Sequence, residues 1–256
     1  MRTFCIGDIH GAAKALEQVL ERSGFDPTQD KLIQLGDIAD GWSETSECVD
    51  ILVDIQRKSS EKNAPIYLRG NHDVWVYDWM MYGRSPLIWT QQGGKATLES
   101  YIKTGKMHDN ESGHKPFWLN QKDWHIDEQN RIFVHAGWYY GDIGMPLEKQ
   151  LGAPVNAGSI AKECHWDRSL LAGARSAHFV NKGGSKATFK AIQQFKEVYI
   201  GHTATKSHEV ENYLNLWNMD SGAGWYGRLA IMDIDTKEIW YSDFTKELYP
   251  DELGRG

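Results

Sequence analysis

No apolar run in this chain approaches the ~18 residues needed to cross a bilayer. Cysteine is scarce, with three in 256 residues. Cys5, Cys48 and Cys164 are too dispersed for a disulfide framework and suit a reducing compartment. Positive charge is also in deficit: 28 Lys and Arg against 35 Asp and Glu leave a net charge of −7. There is no basic stripe of the kind that grips a nucleic-acid backbone. Met1 to Ile6 already reads as a core strand, which leaves no room for a secretory signal. These absences point to a cytoplasmic protein with no membrane and no stable nucleic-acid partner.

What is present is a chain long enough for a substantial core, with eleven tryptophans in an otherwise ordinary composition. No internal repeat or low-complexity linker divides it, so residues 1–256 are expected to form a single domain. Residues 12–22 carry Ala12, Leu16, Val19 and Leu20 at helical spacing, ending at Ser23-Gly24, a C-cap signal. Residues 31–35 read as a strand. A helix follows near Ser43, with Glu44 and Glu47 suited to its N-terminal dipole. Residues 65–68 are a third strand. Units of about thirty residues are βαβ crossovers, which place the three strands parallel.

Further along, the pattern predicts helices over 74–82 and 94–102, a polar loop over 103–112 and a strand over 131–134. The stretch 141–184 is rich in Gly, Ala and Pro and weakly periodic, and reads as short helices and loops with the character of a lid. A helix is expected over 186–195 and a strand over 197–200. Residues 214–219, 229–234 and 238–242 alternate with period two, and Asp235-Thr236-Lys237 joins the last two as a hairpin.

Five strand ends carry polar residues beside glycine: Asp8 and His10 in GDIHG, Asp37 and Asp40 in GDIADG, Asn71 and His72 in GNHD, His135 in HAG and His202 in GHT. Residues two apart in extended chain face the same way, so Asp8 and His10 address one point in space. Ligand sites of open α/β sheets lie at such carboxyl ends. Three oxygen donors and three imidazoles suit first-row divalent ions such as Mn, Fe or Zn better than Ca or Mg. Six donors exceed the need of one ion. A shared carboxylate would hold two ions about 3.5–4 Å apart, an arrangement that clamps a phosphoryl group and activates water.

This motif series resembles the calcineurin-like metallophosphoesterases, in particular the phosphoprotein-phosphatase branch that includes the lambda phage phosphatase and bacterial diadenosine tetraphosphatases. The match runs in order from residue 7 to 203. QGGKATLESY at Gln92 to Tyr101 and DSGAGWYGRLAIMDID extend it. The resemblance implies an α/β fold, a β-sandwich of mixed sheets flanked by helices in αββα layers. It implies a first metal on Asp8 and His10 with Asp37 bridging, and a second on Asp37, Asn71, His135 and His202. His72 would be the general acid, with Asp40 holding its imidazole charged. Asn71 and Arg168 would bind the phosphate, a planar guanidinium fork suiting that anion.

The expected activity is phosphomonoester hydrolysis with two divalent ions, manganese foremost. The substrate would be a phosphorylated serine/threonine protein or a small phosphoester. Hydrolysis of dinucleoside polyphosphates is the alternative. In the phosphatase pattern Asp-Arg-Gly closes the second motif; here the run is Asp40-Gly41-Trp42, so one phosphate-binding arginine is missing. Arg84 is a candidate substitute, whereas Arg69 reads as structural. Trp42, Trp75, Trp138 and Trp166 lie beside motifs and read as packing around the site, with a rim that stacks a base or phenyl ring as the alternative. His108, His114, His125, His165, His178 and His208 read as ordinary core or surface histidines.

Overall fold

The computed structural model describes residues 1–109, 111–140, 145–155 and 160–255. Its strands are β1 (Thr3–Ile6), β2 (Lys31–Gln34), β3 (Ile66–Tyr67), β4 (Trp124–Ile126), β5 (Arg131–Val134), β6 (Glu197–Ile200), β7 (Glu211–Tyr213), β8 (Leu216–Asn218), β9 (Ala230–Asp233) and β10 (Ile239–Tyr241). They build two mixed sheets, in the orders β10-β9-β1-β2-β3 and β4-β5-β6-β8-β7. β1, β2 and β3 run parallel, as the crossover spacing predicts. The hairpin of β9 and β10 adds antiparallel to β1. In the second sheet β5, β6 and β8 are parallel, while β4 and β7 close its edges antiparallel.

Alternation along the strands explains why the sheets stack. Phe4, Ile6, Leu32 and Tyr67 face one apolar cluster, which they share with α1 (Ala13–Ser23), α2 (Thr45–Lys58) and α3 (Asn71–Tyr82). Cys5, Ile33, Leu35 and Ile66 point the other way and meet Phe133, Tyr199 and Met219 of the second sheet. Ile132, Val134, Val198 and Ile200 form a third layer with Leu170, Leu171 and Ala174. Both faces of the central strands are therefore buried, which is why they read as continuous apolar runs. Between the sheets the rings of Phe133 and Tyr199 stack with centroids 4.9 Å apart and planes 11° from parallel. The layering is helix, sheet, sheet, helix.

Several elements differ from the sequence reading. Ser169–Lys182 is one long helix inside the stretch read as short helices and loops. It buries Leu170, Leu171, Ala174 and Ala177, a face made half of alanine, which hydropathy periodicity barely registers. Only Lys190–Gln193 is helical within 186–195. β4 and β7, three residues each, were too short to show a period. The lid reading of 141–184 falls partly on 141–144 and 156–159, outside the described residues. The three cysteines are buried and unpaired, and among the described residues no helix is long and apolar enough to cross a membrane.

Asp123, just ahead of β4, ties three segments to one another. Its carboxylate accepts from Lys162 and from His165 Nε2 at 3.0 Å, and it lies 4.0 Å from the Arg69 guanidinium. Burial alone would raise this carboxyl, but the hydrogen bonds from His165 and Lys162 outweigh it and hold it well below the usual range. A depressed carboxyl stabilises the fold above its unfolded pKa and loses that contribution as pH falls through the folded value. Asp123→Asn is expected to cost about 2 kcal/mol at neutral pH. In urea titrations the gap from the parent should begin to narrow as the buffer is taken from neutral pH to pH 3, and a constant gap would contradict the assignment.

Candidate metal centre

The five motifs meet at one seam, where the carboxyl ends of β1, β2 and β3 face those of β5 and β6. Asp8, His10, Asp37, Asp40, Asn71, His72, His135 and His202 are all buried. The loops after β1 and β2 are laced together: the Asp37 carbonyl accepts the N–H groups of Ile9 and His10, both at 2.9 Å. Trp42 N–H returns to the His10 carbonyl at 2.9 Å. His10, Asp37, Asp40 and His202 all have positive φ, at 53°, 52°, 71° and 68°. That region costs an L-residue roughly 1–2 kcal/mol, and such strain persists where surrounding contacts fix it, commonly at functional sites.

Glycine is required where backbone meets a donor carboxylate. A Cβ on Gly70 would sit 2.1 Å from Asp37 Oδ1, and one on Gly201 2.1 Å from Asp8 Oδ1. That is the physical content of the glycines flanking the motifs.

The donors sort into two groups, Asp8, His10 and Asp37, and Asp37, His135 and His202, each with donor atoms within 4.8 Å of one another. Asp37 belongs to both. Its Oδ2 lies 3.6 Å from His10 Nε2 and its Oδ1 lies 3.5 Å from His135 Nε2. The Asn71 side-chain oxygen completes the second group, 3.1 Å from His135 Nε2 and 2.9 Å from His202 Nδ1.

Tautomers are fixed from behind. His10 Nδ1 faces the carbonyls of Ala39 and Asp40 at 2.9 and 2.8 Å, and His135 Nδ1 faces that of Leu35 at 2.9 Å. A carbonyl only accepts, so each Nδ1 carries the proton, and in the neutral ring Nε2 is left as a lone-pair donor aimed into the site.

The electrostatics ask for cations. Burial raises the Asp8 carboxyl well above its ordinary value, with the nearby Asp220 and Asp37 adding to the effect. Burial works the same way on Asp37, but His135, His72 and His10 outweigh it and pull the group well below. Burial lowers His10 and His202, while Asp37 overcomes burial at His135 and raises it. Carboxyl groups and imidazoles crowded together out of water make a poor structural core and a good first-row metal site.

His72 occupies the first turn of α3, earlier than the helix predicted from 74 onward. Its Nδ1 lies 2.7 Å from Asp40 Oδ2, and its Nε2 is buried with no partner. Asp40 is itself held by Thr97 Oγ and the Trp89 indole, which donate at 2.7 and 2.8 Å. The QGGKATLESY stretch thus has a task, to position Asp40. Burial drives His72 down to about 3 and Asp40 well up, so desolvation opposes the charged imidazole that a neighbouring carboxylate favours.

Arg168 stands at the entrance beside the second group, where its Nη1 donates to Thr203 Oγ at 2.8 Å. Arg69 donates to the Trp118 carbonyl at 3.1 Å and lies over Tyr77, the structural role expected of it. Arg84 is exposed after α3 with its guanidinium over Tyr82, and no contact links it to either donor group among the described residues. The tryptophans divide. Trp42 and Trp138 are fully buried packing, whereas Trp75 and Trp166 meet edge to face, with Trp75 against His72 and Trp166 against His202. Of the other histidines, His114 and His165 are core residues bonded to Asp50 and Asp123.

Sequence reasoning missed Asp73, whose carboxylate accepts from Ile38, Ala39 and Gly70 N–H and so binds the second loop to the third. It stands in the quoted GNHD motif, and that was the available signal. It also missed Asp220 beside Asp8 and, most consequentially, Arg255, whose Nη1 lies 3.3 Å from His10 Nε2.

The sequence pattern of the calcineurin-like phosphoesterase family matches residues 1–156, and the chain belongs to that family. It is a phosphoesterase, and the family's dependence on two metal ions agrees with the two donor groups. The asymmetrical bis(5'-nucleosyl)-tetraphosphatase PrpE of Bacillus anthracis is 26% identical over 243 residues, covering 91% of this chain and 90% of that protein. The symmetrical bis(5'-nucleosyl)-tetraphosphatase of Pasteurella multocida is 31% identical over 147 residues, which is 54% of this chain and 44% of that one. The fold is shared with a protein serine/threonine phosphatase from Saccharomyces cerevisiae (TM-score 0.56, 13% identity, 91% of this chain and 73% of that one). It is shared also with the cold-active protein-tyrosine phosphatase of a psychrophilic Shewanella (TM-score 0.54, 17% identity, 94% and 80%).

The donor geometry predicts a distinctive loss pattern. Asp37→Ala is expected to abolish binding of both divalent ions, whereas His10→Ala leaves one, as counted by calorimetry on chelator-stripped protein. Because Asp37 raises His135, an entering ion displaces a proton, and affinity should weaken as pH falls through the histidine range. Equal stoichiometry in the two variants would refute the shared-carboxylate arrangement.

Proposed function

We propose that this phosphoesterase hydrolyses phosphomonoesters, on phosphorylated proteins or small molecules, with two manganese ions held by Asp8, His10 and Asp37 and by Asp37, Asn71, His135 and His202. Bound there, the ions supply charge for the phosphoryl oxygens and an activated water. One observation carries the reading: the buried Nε2 of His72 has no partner and stands in the turn that presents Asn71. A leaving-group oxygen beside Asn71 would find its proton there.

His72 gives its Nε2 proton to the leaving oxygen, and Asp40, 2.7 Å from Nδ1, holds the ring in place for the transfer. Arg168 and Asn71 orient the phosphate. Both donor groups lie at the seam of the two sheets, which supports reading residues 1–256 as one domain. Three unpaired thiols support a cytoplasmic location.

Dinucleoside polyphosphate hydrolysis is the second reading. It is favoured by the relative that spans nine-tenths of the chain and by the half-buried Trp75 and Trp166 at the entrance, whose faces suit a nucleobase. Parallel assays on p-nitrophenyl phosphate and diadenosine tetraphosphate separate the two by which is turned over, and activity that survives chelation would sink both.

His72→Asn is expected to keep two ions per chain and to lower kcat about 10²–10⁴-fold on phenyl phosphate, whose leaving group needs a proton. The loss should shrink on p-nitrophenyl phosphate, whose leaving group departs as the anion. An equal loss on the two substrates would remove His72 from the acid role.

A further inference from the structure

The second motif lacks the arginine that would follow Asp40, and Gly41 stands in its place. The structure fills that space from elsewhere in the chain. A Cβ built on Gly41 would meet Arg255 Cγ at 3.1 Å and His10 Cβ at 3.4 Å. The Arg255 side chain thus runs through the volume that a side chain at 41 would occupy.

Arg255 is carried there by a segment docked on the same loop. Tyr249 stacks on Trp42 with ring centroids 5.0 Å apart, and its hydroxyl bonds to Glu44. The Glu252 carboxylate accepts from Ser43 N–H at 3.0 Å and from Ser43 Oγ at 2.7 Å. Arg255 N–H then donates to the Gly224 carbonyl at 3.0 Å, and its guanidinium lies over the Trp225 ring at 5.1 Å. Three consecutive positions after Gly41 are therefore used to anchor the segment.

The guanidinium ends in the site with its bonding unfinished. Nη1 lies 3.3 Å from His10 Nε2, and Nε is buried without a partner. No carboxylate pairs with it among the described residues. A half-buried cation beside a centre built for two dications calls for an anion to offset it. Arg168 stands beside the second donor group, next to His202, and Arg255 stands beside the first, next to His10.

We propose that Arg255 is a phosphate-binding residue of this enzyme, supplied by the segment after β10 in place of the arginine absent at position 41. With an ion on His10 Nε2, that lone pair is engaged, and the guanidinium fork is free for phosphate oxygens. The inference rests on the phosphoester-hydrolase reading above.

Calorimetric titration of inorganic phosphate into the manganese-loaded full chain tests it, with Arg255→Ala, Arg255→Lys and Arg168→Ala beside the parent. Arg255→Ala is expected to keep both ions and the parent's melting temperature, and to weaken phosphate binding roughly tenfold to a hundredfold. Its KM for p-nitrophenyl phosphate should rise in step. Arg255→Lys should recover only part of the affinity, since it restores charge but not the fork. If the parent itself binds no phosphate, the phosphomonoester reading fails and this inference with it. If the parent binds and Arg255→Ala binds equally well, only the inference fails. Loss of ions from Arg255→Ala, or tighter phosphate binding by it, would overturn the assignment in favour of a structural or obstructing role.

Discussion

The site depends on the position of one carboxylate. Asp37 faces His10 with one oxygen and His135 with the other, accepts the His72 N–H at 2.9 Å, and anchors the first loop through its carbonyl. Its backbone is left-handed, so the strand must end abruptly for the side chain to turn into the seam. Gly70 gives way at close range to let it do so. Asp73 then fixes the next two peptide groups. The surrounding imidazoles hold Asp37 ionised despite complete burial, and no other donor is shared by both groups.

What the sequence made legible was the part governed by local pattern. Three parallel strands, their crossovers and the glycine-flanked polar clusters follow from spacing alone, and the five clusters converge as expected. Periodicity could not show that β5 and β6 belong to a different sheet from β1–β3, because strands buried on both faces read alike. The helix Ser169–Lys182 escaped because its inward face is largely alanine. Spacing also could not show that His72 and Asp40 are both fully buried, where desolvation works against a charged pair.

The residues that sequence reasoning missed share a cause. Asp73, Asp220 and Arg255 act through tertiary proximity: Asp73 and Asp220 stand in the quoted GNHD and DSGAGWYGRLAIMDID stretches, but spacing does not name their partners, and Arg255 stands in no motif. For Arg255 the only trace lay at position 41, as a gap in a pattern. Arg84 was nearer in sequence, yet it stands over Tyr82 in the open. A missing side chain at one end of the chain was answered by a present one at the other, and the volume above Gly41 records the exchange.

The seam between the sheets also orders the assembly of the centre in time. Asp8, His10 and Asp37 come from β1 and β2, adjacent parallel strands joined by one crossover helix. A chain made from its N-terminus has all three donors of the first group before the second sheet exists. The second group has to wait for His202, at the end of β6, and therefore for docking of the two sheets through Phe133 and Tyr199. One half of the centre is drawn from neighbouring strands and the other from strands far apart in the chain.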